Sequence, residues 1–296
     1  MPGGSLSNLL TLCECPGTMW EGSRLRLPCG IRVRFLYDPQ GWCALGIISF
    51  IWAYNTVFIP SLVIVPMYHD DKLPLGTLVF YFLMSSMTVV CLYLSVTTNP
   101  GIVPLDIQPS AVEAADWTIC KVCQIRRPPR SHHCRRCQQC VRKMDHHCPW
   151  INNCVGEENH WLFIQLLYYT LVLVSMSIAL AVLHLYYSPP CSYCSQDIFP
   201  FSYTRPLLWF TCGQGVLFFP AAIGLVFGQT FNIIIDRTTL ENMADPYFKA
   251  GVPSPRAIHE AFTDICGTKN VFCWLWPLRR RRPITAQAGY SYYRHM

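Results

Sequence analysis

Charge is what this 296-residue chain has little of: Asp, Glu, Lys and Arg make up 14% of it, against roughly a quarter in an ordinary soluble domain. The shortage excludes a conventional soluble globule, and it falls in blocks. None of those four residue types occurs at 39–69, 73–105, 161–196 or 206–235. A spanning helix needs about 20 predominantly apolar residues, and each block supplies one, over 43–66, 76–97, 162–186 and 207–234. Basic residues are scarce in two of the loops as well. Of 23 Lys and Arg, only Lys72 lies in the loop between spans 1 and 2 and only Arg205 in the loop between spans 3 and 4. The positive-inside rule then puts both termini and the 101–160 loop in the cytosol. The first apolar run follows Arg24, Arg26, Arg32 and Arg34 and a polar arm too long for a cleaved signal peptide. Orientation and anionic headgroups account for the net charge of +6, so the lipid bilayer is the expected partner and nucleic acid is not.

Cysteine, by contrast, is abundant and unevenly placed. There are 17, and seven fall between Cys120 and Cys154 together with His132, His133, His146 and His147. Disulfides cannot use all seven, and a disulfide scaffold has no need of the histidines. The block reads as a reduced, cytosolic zinc site. Cys191-Ser-Tyr-Cys194 lies on the oxidising side, where a structural disulfide fits better than redox catalysis without a thioredoxin-like βαβ unit. Cys13 and Cys15 are candidates for lipidation. Arg279 to Arg282, after the apolar Val271–Leu278 segment, reads as an interfacial anchor. No long repeat or low-complexity segment is evident.

The block runs Cys120-x2-Cys123, Arg127-Pro-Pro-Arg130, His132-His133-Cys134-x2-Cys137-x2-Cys140, Asp145-His146-His147-Cys148-Pro-Trp-Ile-Asn-Asn-Cys154. Closed zinc sites take four Cys or His ligands, so two Cys3His sites consume six cysteines and two histidines and leave one cysteine over. Cys120/Cys123 and Cys134/Cys137 have knuckle spacing, but Cys137/Cys140 has it too, and spacing leaves the ligand register open. The spare cysteine is easier to place. Cys148 alone follows an Asp and two His, and a thiolate beside an imidazole oriented by a carboxylate is the arrangement of nucleophilic catalysis. Taken singly, His146 would be a ligand or a packed histidine and Asp145 a turn residue. The block is too short for a hydrophobic core of its own, so zinc must supply folding energy on the order of 10–16 kcal/mol per site.

The pattern C-x2-C-x3-(R/K)-P-x-R-x2-H-C-x2-C-x2-C-x4-D-H-H-C-x5-C-x4-N-x3-F, met at every position from Cys120 to Phe163, resembles the cysteine-rich domain of the DHHC-type protein S-palmitoyltransferases. The resemblance implies an α-helical polytopic membrane protein of four transmembrane helices, with a small cytosolic two-zinc domain between spans 2 and 3. The expected division is a cytosolic arm over 1–41, spans 1 and 2 over 42–98, the zinc domain over 99–160, spans 3 and 4 over 161–235 and a cytosolic C-terminal region over 236–296. The resemblance further implies one zinc on Cys120, Cys123, His133 and Cys140 and a second on Cys134, Cys137, His147 and Cys154. It makes Cys148 the acyl-accepting nucleophile, His146 its base, Asp145 the group that orients the histidine, and Trp150 a neighbour at the membrane surface. Thr238-Thr239-Leu240-Glu241 fits the family's T-T-x-E, whose second Thr is expected near the catalytic Asp, although a helix start would read the same. Asn99-Pro100-Gly101 stands where the family has Asp-Pro-Gly, and Asn keeps the turn hydrogen bonds. Ala261 to Gly267 departs further, keeping the turn glycine and losing an Asn and a Phe.

The implied donor is palmitoyl-CoA, its chain in a cavity between the helices and its phosphates met by some of Arg126, Arg127, Arg130, Arg135, Arg136, Arg142 and Lys143. The expected acceptors are juxtamembrane cysteines of membrane and peripheral proteins. A Golgi membrane is the expected location, with plasma membrane and endoplasmic reticulum as alternatives. Two other readings make different demands. A zinc-dependent scaffold would keep its function in Cys148→Ser. A transporter needs ionisable residues in the bundle, where the spans offer His184 with Asn55, Gln214, Gln229 and Asn232.

Overall fold

The computed structural model describes residues 24–26, 32–34, 36, 38–105, 107–109, 115–187, 201–249, 251 and 253–278. Cys13, Cys15, Cys191, Cys194 and Arg279 to Arg282 lie outside them. The charge-free blocks form four helices long and apolar enough to cross a membrane, Pro39–His69, Leu75–Thr97, His160–Tyr186 and Arg205–Ile234.

Asp38 starts the first by accepting a hydrogen bond from Gln40 N, and Pro39 occupies the first turn, where its missing N–H costs nothing. Helix α1 (Pro39–Ile59) then passes through a π-helical turn, Pro60–Ile64, into α2 (Val65–His69). The span runs through Pro60 and Pro66 because that wider turn takes up the lost i→i−4 bonding. Helix α3 (Leu75–Thr97) ends at Asn99, whose Oδ1 accepts from Gly101 N and Ile102 N at 2.9 and 3.0 Å. Gly101 takes a φ of +100°, which its neighbours could not adopt without strain. Helices α4 (His160–Tyr187) and α5 (Phe201–Ile234) complete the bundle, α5 carrying Pro206 and Pro220 within it.

Before α1, strands β1 (Arg24–Arg26) and β2 (Arg32–Arg34) form an antiparallel pair. Between α3 and α4 the chain makes three more antiparallel hairpins: β3–β4 (Thr118–Cys120, Ile125–Arg127), β5–β6 (His132–Cys134, Gln139–Val141) and β7–β8 (His146–Cys148, Asn153–Val155). After α5 come α6 (Thr239–Ala244), α7 (Pro255–Cys266) and α8 (Val271–Trp274). A capping box starts α6, with Thr238 Oγ1 and the Glu241 carboxylate each accepting from the other's backbone N–H. Gly267, at φ +67°, ends α7.

The junction of α3, the hairpins and α4 closes around Gly156. A methyl group there would lie 2.5 Å from Pro100 O and from Val141 Cγ1, and a carbonyl held by its own turn cannot yield. Gly156→Ala is therefore expected to cost about 1–3 kcal/mol and to lower the thermal midpoint of the detergent-solubilised protein. An unchanged midpoint would mean that the junction is not close-packed.

Candidate active site and metal clusters

The three hairpins repeat one local design. Cys120, Cys134 and Cys148 end the first strand of each, spaced 14 residues apart, and Gln124, Gln138 and Asn152 follow at the same left-handed position with φ of 55°, 52° and 45°. The turns of the first two carry a second thiol, Cys123 and Cys137, whose N–H groups donate to Cys120 Sγ and Cys134 Sγ at 3.4 and 3.3 Å. Across the ladders His133 faces Cys140 and His147 faces Cys154. The cross-strand His/Cys pairs of the second and third hairpins thus each close a cluster opened by the turn of the hairpin before.

Two groups result, Cys120, Cys123, His133, Cys140 and Cys134, Cys137, His147, Cys154, with the ligand atoms of each within 4.8 Å of one another. A tetrahedral zinc with Zn–S near 2.3 Å and Zn–N near 2.0 Å has ligand–ligand edges of about 3.5–3.8 Å. In the first group Cys123 Sγ lies 3.2 Å from His133 Nδ1 and 3.9 Å from Cys140 Sγ. In the second, His147 Nδ1 lies 3.7, 3.5 and 3.7 Å from the sulfurs of Cys134, Cys137 and Cys154. Edges scattered around that range, the donor types and the absence of disulfides among these thiols fit zinc.

The third hairpin has Ile151 where the others have their second thiol. Cys148 is left out of both groups and lies 4% exposed in an apolar cluster with Ile151, Phe163, Leu166 and Leu167. The His146 ring meets Phe163 edge-on, with centroids 5.2 Å apart, and His146 Nδ1 lies 2.6 Å from Asp145 Oδ2. Burial alone would lower the pKa of His146, but the bonded Asp145 carboxylate and the Cys148 sulfur raise it to about 9. For Asp145, fully buried, burial works upward and is outweighed by the His146 bond, which with its other donors holds the carboxyl well below the usual range.

Those donors come from the far end of the chain. Thr239 N donates to Asp145 Oδ1 at 2.7 Å, and Thr239 Oγ1 and Gln229 Nε2 both donate to Oδ2 at 2.9 Å. Gln229 Oε1 is in turn 3.0 Å from His160 Nε2. Asn232 Nδ2 donates to Thr239 Oγ1 at 3.1 Å, and its Oδ1 accepts from Asn242 at 2.7 Å. Sequence reasoning counted Gln229 and Asn232 only as polar interruptions of the last span. Their i, i+3 spacing, which puts both on one helix face beside the T-T-x-E segment, was the available signal.

Cys148 and His146 line a cavity of about 430 Å³ between α1, α3, α4 and α5. Its walls are apolar, among them Ile48, Trp52, Leu92, Leu173, Phe218 and Leu225, and its deep end carries Asn55, Ser177 and Gln214. Trp150, at the mouth, is 46% exposed. Of the basic residues, Arg126 and Arg135 are exposed, and Arg127 donates to Thr118 Oγ1. Arg130 holds the Glu241 carboxylate with two bonds of 2.6 and 2.8 Å and reaches Asp236, while Arg136 pairs with Asp38 at 3.0 Å and Lys143 with Asp236 at 3.0 Å.

A family model for DHHC palmitoyltransferase matches residues 113–246. The mouse protein Palmitoyltransferase ZDHHC21 is 36% identical over 255 residues, covering 86% of this chain and 96% of the mouse protein. Its zebrafish counterpart is 38% identical over 254 residues, covering 86% and 95%. The fungal Palmitoyltransferase PFA3 of Gibberella zeae is 39% identical over a shorter stretch of 99 residues. The chain belongs to the DHHC palmitoyltransferase family, and it is a protein S-acyltransferase.

The Arg130 contacts tie the hairpins to α6. With the ion pair only 15% and 23% exposed, Arg130→Gln is expected to lower stability by about 1–3 kcal/mol. For the Glu241 carboxyl, burial works upward but is outweighed by Arg130 and the Thr238 N–H, which hold it below its ordinary 4.5. This contribution is complete above the unfolded pKa and fades as pH falls through the lower folded one. Melting curves from pH 6 to 3, taken here as a test range of about three units around ordinary carboxylate values, should show the variant losing that acid-dependent part. Parallel curves for both proteins would remove Arg130 as the lock.

Proposed function

We propose that this protein moves palmitate from palmitoyl-CoA to juxtamembrane cysteines of membrane and peripheral proteins by a ping-pong reaction through an acyl-enzyme on Cys148. The observation that carries this reading is the placement of the one unclustered thiol of the block on the cavity wall, beside a histidine fixed by a buried carboxylate.

In the first half-reaction the Cys148 sulfur attacks the thioester carbonyl, His146 takes the thiol proton and returns it to the departing CoA sulfur. In the second, a target thiol attacks the Cys148 thioester, and the same ring relays its proton to Cys148. Asp145 keeps the imidazole turned to the sulfur and stabilises its charged form, and Thr239 and Gln229 hold Asp145. Exchange between thioesters is nearly isoenergetic, so this modest acid–base help suffices. Zinc held by the two Cys3His groups is structural, because four protein ligands leave no open position for substrate.

Burying a sixteen-carbon chain is worth more than about 10 kcal/mol at roughly 0.8 kcal/mol per methylene, and the apolar cavity supports this as its container. Along α4 the lining runs from Phe163 to Ile178, about 22 Å at 1.5 Å per residue, against about 19 Å for an extended C16 chain with C–C bonds near 1.5 Å. With Arg130 and Arg136 occupied, Arg126, Arg127 and Arg135 are the favoured contacts for the CoA phosphates. The charge asymmetry supports both termini and the active site facing the cytosol, and a Golgi membrane is the proposed compartment.

Purified wild type incubated with radiolabelled palmitoyl-CoA is expected to take up label that neutral hydroxylamine removes, and Cys148→Ser to take up none while keeping two zincs. Equal labelling of both proteins would end the case for Cys148. Gln229→Leu, which takes one donor from Asp145, should slow acyl-enzyme formation about 10- to 100-fold, as expected for losing a hydrogen bond to a charged group. An unaltered single-turnover rate would leave Gln229 without a positioning role.

A further inference from the structure

His147 offers Nδ1 to three sulfurs of the second cluster. A neutral ring that binds metal through Nδ1 carries its proton on Nε2, and ligating histidines almost always donate that proton to a carboxylate, a carbonyl or water. His147 Nε2 is buried and has no hydrogen-bond partner. The acidic group facing it comes from another part of the chain. Asp38 Oδ2 lies 3.9 Å away, and the two side chains are 12% and 11% exposed.

Asp38 divides its oxygens. Oδ1 accepts from Gln40 N at the start of α1, and Oδ2 accepts from Arg136 Nη1 at 3.0 Å, next to cluster residue Cys137. The surrounding chain is clamped to the same hairpins. Leu36 O accepts from Trp42 Nε1 at 3.0 Å and from Asn152 Nδ2 at 3.2 Å. Leu36 itself packs among Cys134, Cys137 and Cys154. At Gly41 a Cβ would lie 2.1 Å from Asn152 Oδ1, so the Asn152 side chain of the third hairpin packs directly on the backbone of α1.

Resting on the two-zinc reading above, we infer that Asp38 is the outer-shell carboxylate of the second zinc site, closing the gap to His147 Nε2–H when zinc is bound. The carboxylate fixes the tautomer and orientation of the ligand, and the same side chain caps the first membrane helix. Metal occupancy is thereby coupled to the start of α1, whose Ile48, Trp52 and Asn55 line the cavity.

The test is zinc release from the full-length protein in detergent, with a colorimetric chelator in excess. Asp38→Asn and Asp38→Ser both keep a good helix cap and remove the carboxylate. Each is expected to lose one of its two zincs 10- to 100-fold faster than wild type, the usual scale for an outer-shell partner, with the other zinc unchanged. Arg136→Gln, which removes the ion pair and leaves the carboxylate, should release zinc within about threefold of wild type on that scale. In wild type, chelation should also speed hydrogen exchange at residues 38–45. Wild-type release from both Asp38 variants, or an Arg136→Gln effect as large as theirs, would overturn the inference. A wild-type protein that binds fewer than two zincs would instead undo the two-zinc reading beneath it.

Discussion

The Asp145 carboxylate is the point on which the rest of the structure turns. A charge with no solvent exposure is tolerated only when its lone pairs are filled, and here they are filled from the His146 ring, the backbone and hydroxyl of Thr239 and the amide of Gln229. Those groups belong to the hairpin block, to α6 and to the last membrane helix. Satisfying one anion therefore docks the block on the end of the bundle, sets the start of α6 and aims the imidazole at the cavity mouth. Arg130 repeats the linkage further out, joining the loop between β4 and β5 to Asp236 and Glu241.

The block could not hold that position on apolar packing alone. Its strands are three residues long, and its buried clusters are built largely from the thiols themselves. Two clusters able to hold metal supply what would replace a core. Because each cluster spans two successive hairpins, two ions bound there would fix the mutual placement of all three, and the carboxylate of Asp145, one residue before β7, would inherit that rigidity.

The membrane helices were legible because absence of charge over twenty residues has one economical explanation. The ends were less so: the first helix runs on to His69, since hydropathy is blind to a π-helical turn that accommodates proline. The ligand register stayed open in the spacing, where Cys134/Cys137 and Cys137/Cys140 look alike. The ladder distinguishes them, for Cys140 sits across from His133 while Cys137 lies in the turn. Gln229 and His160 were invisible as parts of the site because their partner, Asp145, is 84 residues from Gln229 in the chain, and no local pattern reports a contact of that range.

A shorter regularity explains why Cys148 is free at all. With a period of 14 residues, Ile119 to Arg126, His133 to Cys140 and His147 to Cys154 are copies of one hairpin, each with a thiol at the end of its first strand and a left-handed residue four positions later. In the first two copies a second thiol in the turn and a following hairpin turn that sulfur into a ligand. The third copy lacks both: Ile151 occupies the turn, and the chain goes on into α4. A sulfur placed by this hairpin geometry but outside both clusters remains a free thiol, and Ile151, 1% exposed in the same apolar cluster, supplies wall for the cavity in place of a ligand. Ile in place of Cys at one turn position thus accounts for both the unclustered sulfur and the apolar surface beside it.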